Sequence, residues 1–328
     1  MRRYLAPGVV ASGIVVMVVA LLAAGGAPEP LPVGLTGASM PVSWAVPVLR
    51  LLADVAAIAC GGAVLAAAIF LPVESGGKLG KQGLRACQDA AIAAAVWAVA
   101  SIGGLLTTAS VILGVPLSQL SSRANQAASL NQVRALAVAV VLTAVLAVVL
   151  SGCRTAATAR IALVLTAAAL TGPLLTGHGA IERTTFWSLS ATTSLVVHVF
   201  AATVWIGGLG ALVRYTRERK AVEKFSQLAL ICAISIGVTG LLTAEIHLGG
   251  HHEGWGLITA WVTTGYGALV FAKAVAFALL VTIGWWHRKS TLPALAAEQP
   301  AAFWRLASVE LLLMAGTVGL AVALSRTP

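Results

Sequence analysis

The sequence predicts an all-α membrane protein, a polytopic bundle of transmembrane helices. Hydrophobic residues make up 59% of the 328 positions and charged residues only 10%, whereas a soluble domain carries about 25% charged residues. The apolar residues lie in continuous runs of roughly 20, the length of a membrane-spanning helix; barrel strands would be shorter and would alternate polar with apolar residues. The basic residues lie in short segments between these runs, as expected if the runs cross a bilayer.

Nine apolar runs are long enough to cross a hydrocarbon core about 30 Å thick. They are rich in Ala, Leu and Val, and we treat residues 1–328 as a single membrane domain. The predicted spans are residues 4–24, 44–72, 89–113, 133–150, 156–176, 190–212, 225–246, 263–286 and 304–324.

Lys and Arg gather at one end of the predicted bundle. Cytoplasmic loops of membrane proteins carry the excess of these residues, so the sequence predicts the N-terminus inside and the C-terminus outside. The basic residues on the predicted inner side are Arg2, Arg3, Lys78, Lys81, Arg85, Arg154, Arg160, Arg214, Arg217, Arg219, Lys220, Lys224, Arg288, Lys289 and Arg305. Those on the opposite side are Arg123, Arg134, Arg183 and Arg326.

The first span has two interpretations. Arg2 and Arg3, an apolar run and small residues ending at Ala27 resemble a secretory signal peptide. The apolar run is about 20 residues, which is long for that role. We therefore expect a retained helix, and removal of this segment would leave the orientation of the other eight spans unchanged.

Five of the six histidines fall on the predicted outer side, and only His287 falls on the inner side. Imidazole and carboxylate groups together suit divalent transition metals, among which copper binds tightest. His198 lies within a predicted span, where an ionisable residue is a functional candidate. Each histidine also has an ordinary explanation as a solvated, turn-capping or core residue, so the prediction depends on the joint pattern. The candidate copper ligands are His178, His198, His247, His251 and His252, with Glu245.

The four cysteines show no CxxC spacing, which excludes a zinc knuckle and a thioredoxin-like motif. The predicted topology puts Cys60 and Cys232 within the membrane and Cys87 and Cys153 on the cytoplasmic side. No pair lies outside, where disulfides form. We interpret them as buried or reduced thiols; the alternative is that they receive a soft metal ion after it has crossed.

Four further charged residues fall within predicted spans. Arg50 and Asp54 are four apart on one helix face and are expected to neutralise each other. Lys273 lies near the middle of the eighth span and Glu310 in the inner third of the ninth, so a pair between them must bridge a depth difference of roughly 10 Å. These residues form either structural ion pairs or a polar pathway through the bundle.

Close packing is predicted for the sixth span. It carries Trp205, Gly207 and Gly208, and small residues allow membrane helices to approach each other closely.

Several function classes are excluded by missing patterns. The sequence has no GxxxxGK[ST] motif for a nucleotide phosphate, and neither GxSxG nor HExxH. The net charge of +10 comes from basic residues spread over short loops rather than clustered on a soluble face, which excludes nucleic-acid binding. We therefore expect a protein that is not an enzyme.

The second half of the chain resembles the copper resistance D (CopD) family of membrane proteins, over about residues 178–325. The resemblance rests on an ordered set of segments: HGA at 178–180, VHVFAATVWIGGL at 197–209, KFSQLAL at 224–230, VTGLLTAE at 238–245 and TTGYGALVFAK at 263–273. The preceding helices, residues 1–176, match only in their run of apolar spans.

The resemblance implies copper movement across the cytoplasmic membrane, generally into the cell. The segments that match contain His178, His198, Trp205, Tyr266 and Lys273. Lys224 stands where the family often has arginine, which keeps the charge. Such domains are often fused to one resembling CtaG, a cytochrome oxidase assembly factor, so a CtaG-like or periplasmic copper-binding protein is an expected partner.

Our hypothesis is copper capture at the outer face followed by inward passage past His198 and Trp205. One alternative is a haem-binding membrane cytochrome in which His198 is an axial ligand. Another is an assembly partner that holds or delivers copper for cytochrome oxidase without transporting it. The sequence leaves the oxidation state of the copper open.

Overall fold

The computed structural model describes residues 2–30, 37–174, 185–216, 218–246, 259, 261, 263–296 and 300–327. Across these residues the regular structure is helical, apart from isolated β-bridges between loops. The helices are α1 (Arg2–Ala23), α2 (Met40–Leu65), α3 (Lys81–Leu113), α4 (Ala124–Ser129), α5 (Asn131–Ser151), α6 (Ala156–Leu174), α7 (Thr185–Tyr215), α8 (Arg219–Ala244), α9 (Gly265–Ala296) and α10 (Pro300–Leu324). The predicted all-α fold is confirmed.

Eight of the described helices are long and apolar enough to cross a membrane: α2, α3 and α5 to α10. Each of the nine predicted runs coincides with a described helix over most of its length, but the apolar part of α1, Pro7–Ala23, is shorter than the rest. At 1.5 Å per residue it measures about 25 Å, slightly less than the hydrocarbon core. The structure therefore supports eight full-length spans and one shorter apolar helix, where nine spans were predicted.

The outer surface of the bundle is apolar. Large side chains such as Val99, Val148 and Leu241 are 67–72% exposed, and an apolar surface of this kind is stable only against lipid. The protein is therefore a multi-pass membrane protein.

Helix α2 is the centre of the bundle. It packs against α3, α6, α7 and α10, and 67% of the residues in its most apolar stretch are buried, compared with 17% in α8 and in α9. It continues into a π-helical turn, Ala66–Phe70, before the chain leaves the bundle. Helices α8 and α9 lie at the periphery, α8 against α7 and α9 against α10.

The first helix packs against the last. Met17 and Leu21 of α1 are fully buried, in a cluster that includes Leu51, Leu269 and Val322 from three other helices. Thus α1 forms part of the packed bundle.

The crossing of α2 and α7 depends on glycine. A Cβ atom on Gly62 would collide with the backbone of Gly207, and one on Gly207 would lie 2.6 Å from the carbonyl oxygen of Ile58. One on Gly208 would lie 2.6 Å from the Phe225 ring of α8. These contacts agree with the predicted packing role of Gly207 and Gly208.

Candidate intramembrane site between α7, α8 and α9

His198 lies on the face of α7 that packs against α8. Its Nδ1 atom is 3.0 Å from the hydroxyl oxygen of Thr239. Gly240 lies beside the ring, since a Cβ atom there would be in van der Waals contact with Cε1 of His198 at 3.6 Å. The imidazole therefore fits against a glycine and beside a hydroxyl, and it is partly buried.

The hydrogen bonds of Thr239 favour one tautomer of His198. The Thr239 hydroxyl donates to the carbonyl oxygen of Ser235 at 2.6 Å, so its single hydrogen is engaged and its oxygen accepts. That oxygen can accept from Nδ1–H of His198, and in this tautomer a neutral ring carries its lone pair on Nε2. The backbone of Ile236 also hydrogen-bonds to the ring. Fixing the tautomer through the second nitrogen is the usual way in which proteins orient a metal-binding histidine.

Hydroxyl groups continue from His198 along the α7–α8 interface. Ser194, four residues before His198 and so on the same face, donates to the carbonyl oxygen of Thr239 at 3.1 Å and lies 3.4 Å from the hydroxyl of Thr243. We call Ser194, Thr239 and Thr243 the hydroxyl track. It runs toward the end of α8, where Glu245 is exposed.

An aromatic pair lies deeper on the same face of α7. Trp205 is 5% exposed, and its ring meets Phe277 of α9 edge to face, with centroids 6.4 Å apart. A Cβ atom on Gly237 of α8 would lie 3.4 Å from the Phe277 ring. The hydroxyl track is therefore followed, two turns beyond His198, by an apolar closure built from three helices.

Lys273 lies one turn before Phe277 on α9, and so on the same face of that helix. Its amine is close enough to His198 to interact with the ring electrostatically. An amine and an imidazole thus share the space between α7, α8 and α9.

Lys273 and Glu310 do not form an ion pair. The Glu310 carboxylate of α10 lies beside Gly284, where a Cβ atom would be 3.9 Å from Oε1. Gly284 is about 16 Å beyond Lys273 along α9, at 1.5 Å per residue. Glu310 is 3% exposed, and it belongs to a different level of the bundle from His198.

Arg50 and Asp54 form the predicted ion pair within α2. The Nε atom of Arg50 is 3.2 Å from Oδ2 of Asp54, and the two side chains are 44% and 34% exposed. An exposed pair of this kind mainly neutralises charge on the helix surface.

Of the other predicted ligands, the structure describes only one. His178, His247, His251 and His252 lie outside the described residues, and Glu245 is described at the end of α8. In the part of the chain that the structure describes, no three His, Cys, Asp or Glu side chains come together as a metal cluster. The described site is therefore one histidine, with the hydroxyl track on one side and Trp205 with Phe277 on the other.

Thr239, Ser194, Thr243 and Phe277 were not predicted from the sequence. Hydroxyl residues are common in membrane helices, where they bond to their own backbone. The available signal was the repeat of four, from Ser194 to His198 and from Thr239 to Thr243, which puts each pair on one face.

Comparison with known protein families gives a match that covers part of this site. The family model described as Copper resistance protein D (CopD) matches residues 219–324, which contain α8 to α10 and therefore Thr239, Lys273 and Phe277. His198 and Trp205 precede the matched segment. No curated protein and no solved structure matches the chain. Over residues 219–324, which contain its last three helices, the chain is therefore similar to the copper resistance protein D (CopD) family.

Proposed function

We propose that this protein is a carrier that binds copper at the outer face of the bacterial cytoplasmic membrane and moves it inward between α7 and α8. The observation that carries the proposal is the orientation of His198. Its Nδ1 lies 3.0 Å from the Thr239 hydroxyl, and the tautomer that donates from Nδ1 carries its lone pair on Nε2 within the membrane. Imidazole is a good copper ligand.

The proposed entry site lies at the outer end of the hydroxyl track. Glu245 ends α8 and precedes the segment that contains His247, His251 and His252, and His178 precedes α7. These side chains supply imidazole and carboxylate groups at the start of the route. Copper then passes along Ser194, Thr243 and Thr239 to His198, and Trp205 with Phe277 has to move before it goes further.

Copper uptake into vesicles containing the purified protein tests the proposal. We expect His198→Ala to reduce the initial rate by at least about tenfold, since it removes the ligand within the membrane. His287→Ala is the matched control, because His287 follows on the predicted inner side and should leave entry unchanged. Normal uptake by the His198→Ala variant would contradict the proposed route.

Two other functions would use the same histidine, and measurements on one purified sample distinguish them from copper transport. A lone pair on Nε2 also suits an axial haem ligand, and a haem protein would show a Soret band with bound iron. A copper-delivery partner of cytochrome oxidase would bind copper without moving it into vesicles. We expect bound copper, no Soret band and uptake, with a periplasmic copper-binding or CtaG-like protein as partner.

A further inference from the structure

Two cysteines meet at the other end of the bundle, away from the His198 site. Cys87 belongs to the second turn of α3, and Cys153 lies in the short connection between α5 and α6. Their Sγ atoms are 3.0 Å apart, and the residues are 1% and 0% exposed. Both thiols are free, and they are 66 residues apart in the sequence.

The surrounding loops fix this arrangement. The backbone N–H of Leu79 donates to the carbonyl oxygen of Arg154 at 3.0 Å, and Lys78 pairs with Thr155 in an isolated bridge. The segment after α2 therefore covers the α5–α6 connection and shields both sulfurs from solvent.

We propose that Cys87 and Cys153 form a two-coordinate binding site for Cu(I). Thiolates are soft ligands that select Cu(I), zinc and iron–sulfur clusters. Zinc requires four protein ligands in a structural site, and the described residues place no third His, Cys, Asp or Glu with this pair. Two buried thiols without a third ligand suit a soft monovalent ion.

The geometry can accommodate such an ion by a small movement. Two metal–thiolate bonds of about 2.3 Å each span at most about 4.6 Å, so the sulfurs have to separate from their present 3.0 Å. Cys153 lies outside a helix and follows Gly152, so its side chain can turn without breaking a helical hydrogen bond.

The charge of the loaded site is also compensated. Binding forms two Cu–S bonds, breaks two S–H bonds and releases two protons to water, with no change in oxidation state. Two thiolates and Cu(I) leave a net charge of −1. The Arg154 guanidinium, which donates to the carbonyl oxygen of Cys153 at 3.3 Å and acts electrostatically on Cys87, supplies a nearby positive charge.

This dithiol site extends the proposed function, because it lies at the end with the excess of Lys and Arg, where inward-moving copper would arrive. Its choice of ion rests on the copper function, but equilibrium binding does not depend on transport. The two ideas therefore fail separately: His198→Ala should stop uptake and leave Cu(I) binding at the dithiol unchanged.

The test is an anaerobic titration of the full-length protein in detergent with Cu(I), using bicinchoninate as the competing chelator. We expect one tightly bound Cu(I) at this site, with an ultraviolet thiolate-to-copper charge-transfer band. The variant with Cys87→Ser and Cys153→Ser should lose the band and bind more than about 100-fold more weakly, beyond the 10–100-fold typical of changes outside the ligands. The matched control carries Cys60→Ser and Cys232→Ser, which replace the other two buried thiols. It should keep both the charge-transfer band and the Cu(I) affinity.

The outcomes are distinct. Retention of the band and the affinity in the Cys87 and Cys153 variant would overturn the proposal. Failure of the reduced wild-type protein to bind Cu(I) would also overturn it. One such case is a disulfide between Cys87 and Cys153, which would leave the unreduced protein with only two reactive thiols. If the double variant does not fold, Cys153→Ser alone removes one of the two ligands from a non-helical position and should also abolish the band.

Discussion

The orientation of His198 depends on a single hydroxyl group. Thr239→Val keeps the shape of the side chain but removes the oxygen that accepts from Nδ1–H at 3.0 Å. The ring is then free to rotate and to exchange tautomers. We expect the dissociation constant for copper within the membrane to rise about 10- to 100-fold, the usual cost of losing a hydrogen-bond partner behind a metal ligand. Equilibrium copper titration of the purified variant measures this.

Thr282→Val is the matched control for that change. The Thr282 hydroxyl donates at 2.8 Å to the carbonyl oxygen of Ala278 in its own helix, α9, and is exposed. Its removal should leave copper affinity unchanged. Equal affinities for the two variants would show that Thr239 does not orient a ligand.

Asp89 joins α3 to α7 through two hydrogen bonds to one carboxylate oxygen. Arg214 Nε and the Tyr215 hydroxyl both donate to Oδ2 at 2.7 Å. Asp89→Asn removes the charge on which both bonds depend, and we expect a loss of about 1–2 kcal/mol in stability, reduced from the buried value by partial exposure. A lower Tm in detergent measures this.

The control for Asp89 is an exposed ion pair near the start of α8. Arg219 Nε lies 2.7 Å from Glu223 Oε1, with side chains 68% and 46% exposed. Glu223→Gln should change the stability by no more than about 0.5 kcal/mol. If both variants melt alike, the Asp89 contacts contribute nothing specific to the joining of α3 and α7.

At the scale of single residues, the sequence showed which side chains are unusual but not which ones meet between different helices. His198 and Lys273 were visible because ionisable groups are rare within membrane spans. The contact of His198 with Thr239 and that of Cys87 with Cys153 bridge 41 and 66 residues. Such pairs depend on how helices pack, which a periodic pattern within one helix does not determine.

At the scale of helices, the crossing of α2 and α7 should respond sharply to one methyl group. Gly207→Ala would put a Cβ atom 2.6 Å from the carbonyl oxygen of Ile58 and push the two helices apart. We expect a loss of about 1–3 kcal/mol or more, as for other overpacked sites. The Tm of the purified variant measures this.

Gly210 in the same helix provides the comparison. A Cβ atom there meets nothing within 4 Å, and alanine is favoured over glycine in a helix by up to about 1 kcal/mol. Gly210→Ala should therefore leave the Tm unchanged or raise it. A similar loss in both variants would indicate a general sensitivity of α7 rather than a close contact with α2.

The predicted spans coincide with observed helices over most of their length, but several helices begin earlier or end later than the predicted spans. The third span was predicted to begin at residue 89, but α3 begins at Lys81, and α9 continues to Ala296, beyond the predicted 286. Hydropathy detects the part of a helix that lies in lipid, whereas its hydrogen bonds continue into water. The polar turns of α3 are the ones that contain Cys87 and Asp89.

At the scale of the whole molecule, the buried centre and the candidate copper route are in different places. The centre is α2, whereas His198 faces the peripheral helices α8 and α9. In each of these two helices only 17% of the residues in the most apolar stretch are buried. Movement of α8 or α9 therefore disturbs little of the central packing. This arrangement suits a route that has to open and close around Trp205 and Phe277.

The direction of that route depends on the orientation of the chain, which the distribution of Lys and Arg predicts. With the N-terminus inside and the C-terminus outside, alkaline phosphatase fused after residue 328 should be active, because it folds only outside the cytoplasm, and green fluorescent protein fused there should be dark. A fusion after Ser75, in the segment between α2 and α3, should give the reverse pattern with both reporters. The basic loops cannot all be inside if either pattern is inverted.

Inversion at both sites would put His178 and Glu245 in the cytoplasm and the Cys87–Cys153 pair outside. The same groups would then describe an export route, with histidines receiving copper inside and a dithiol exposed to oxidising conditions.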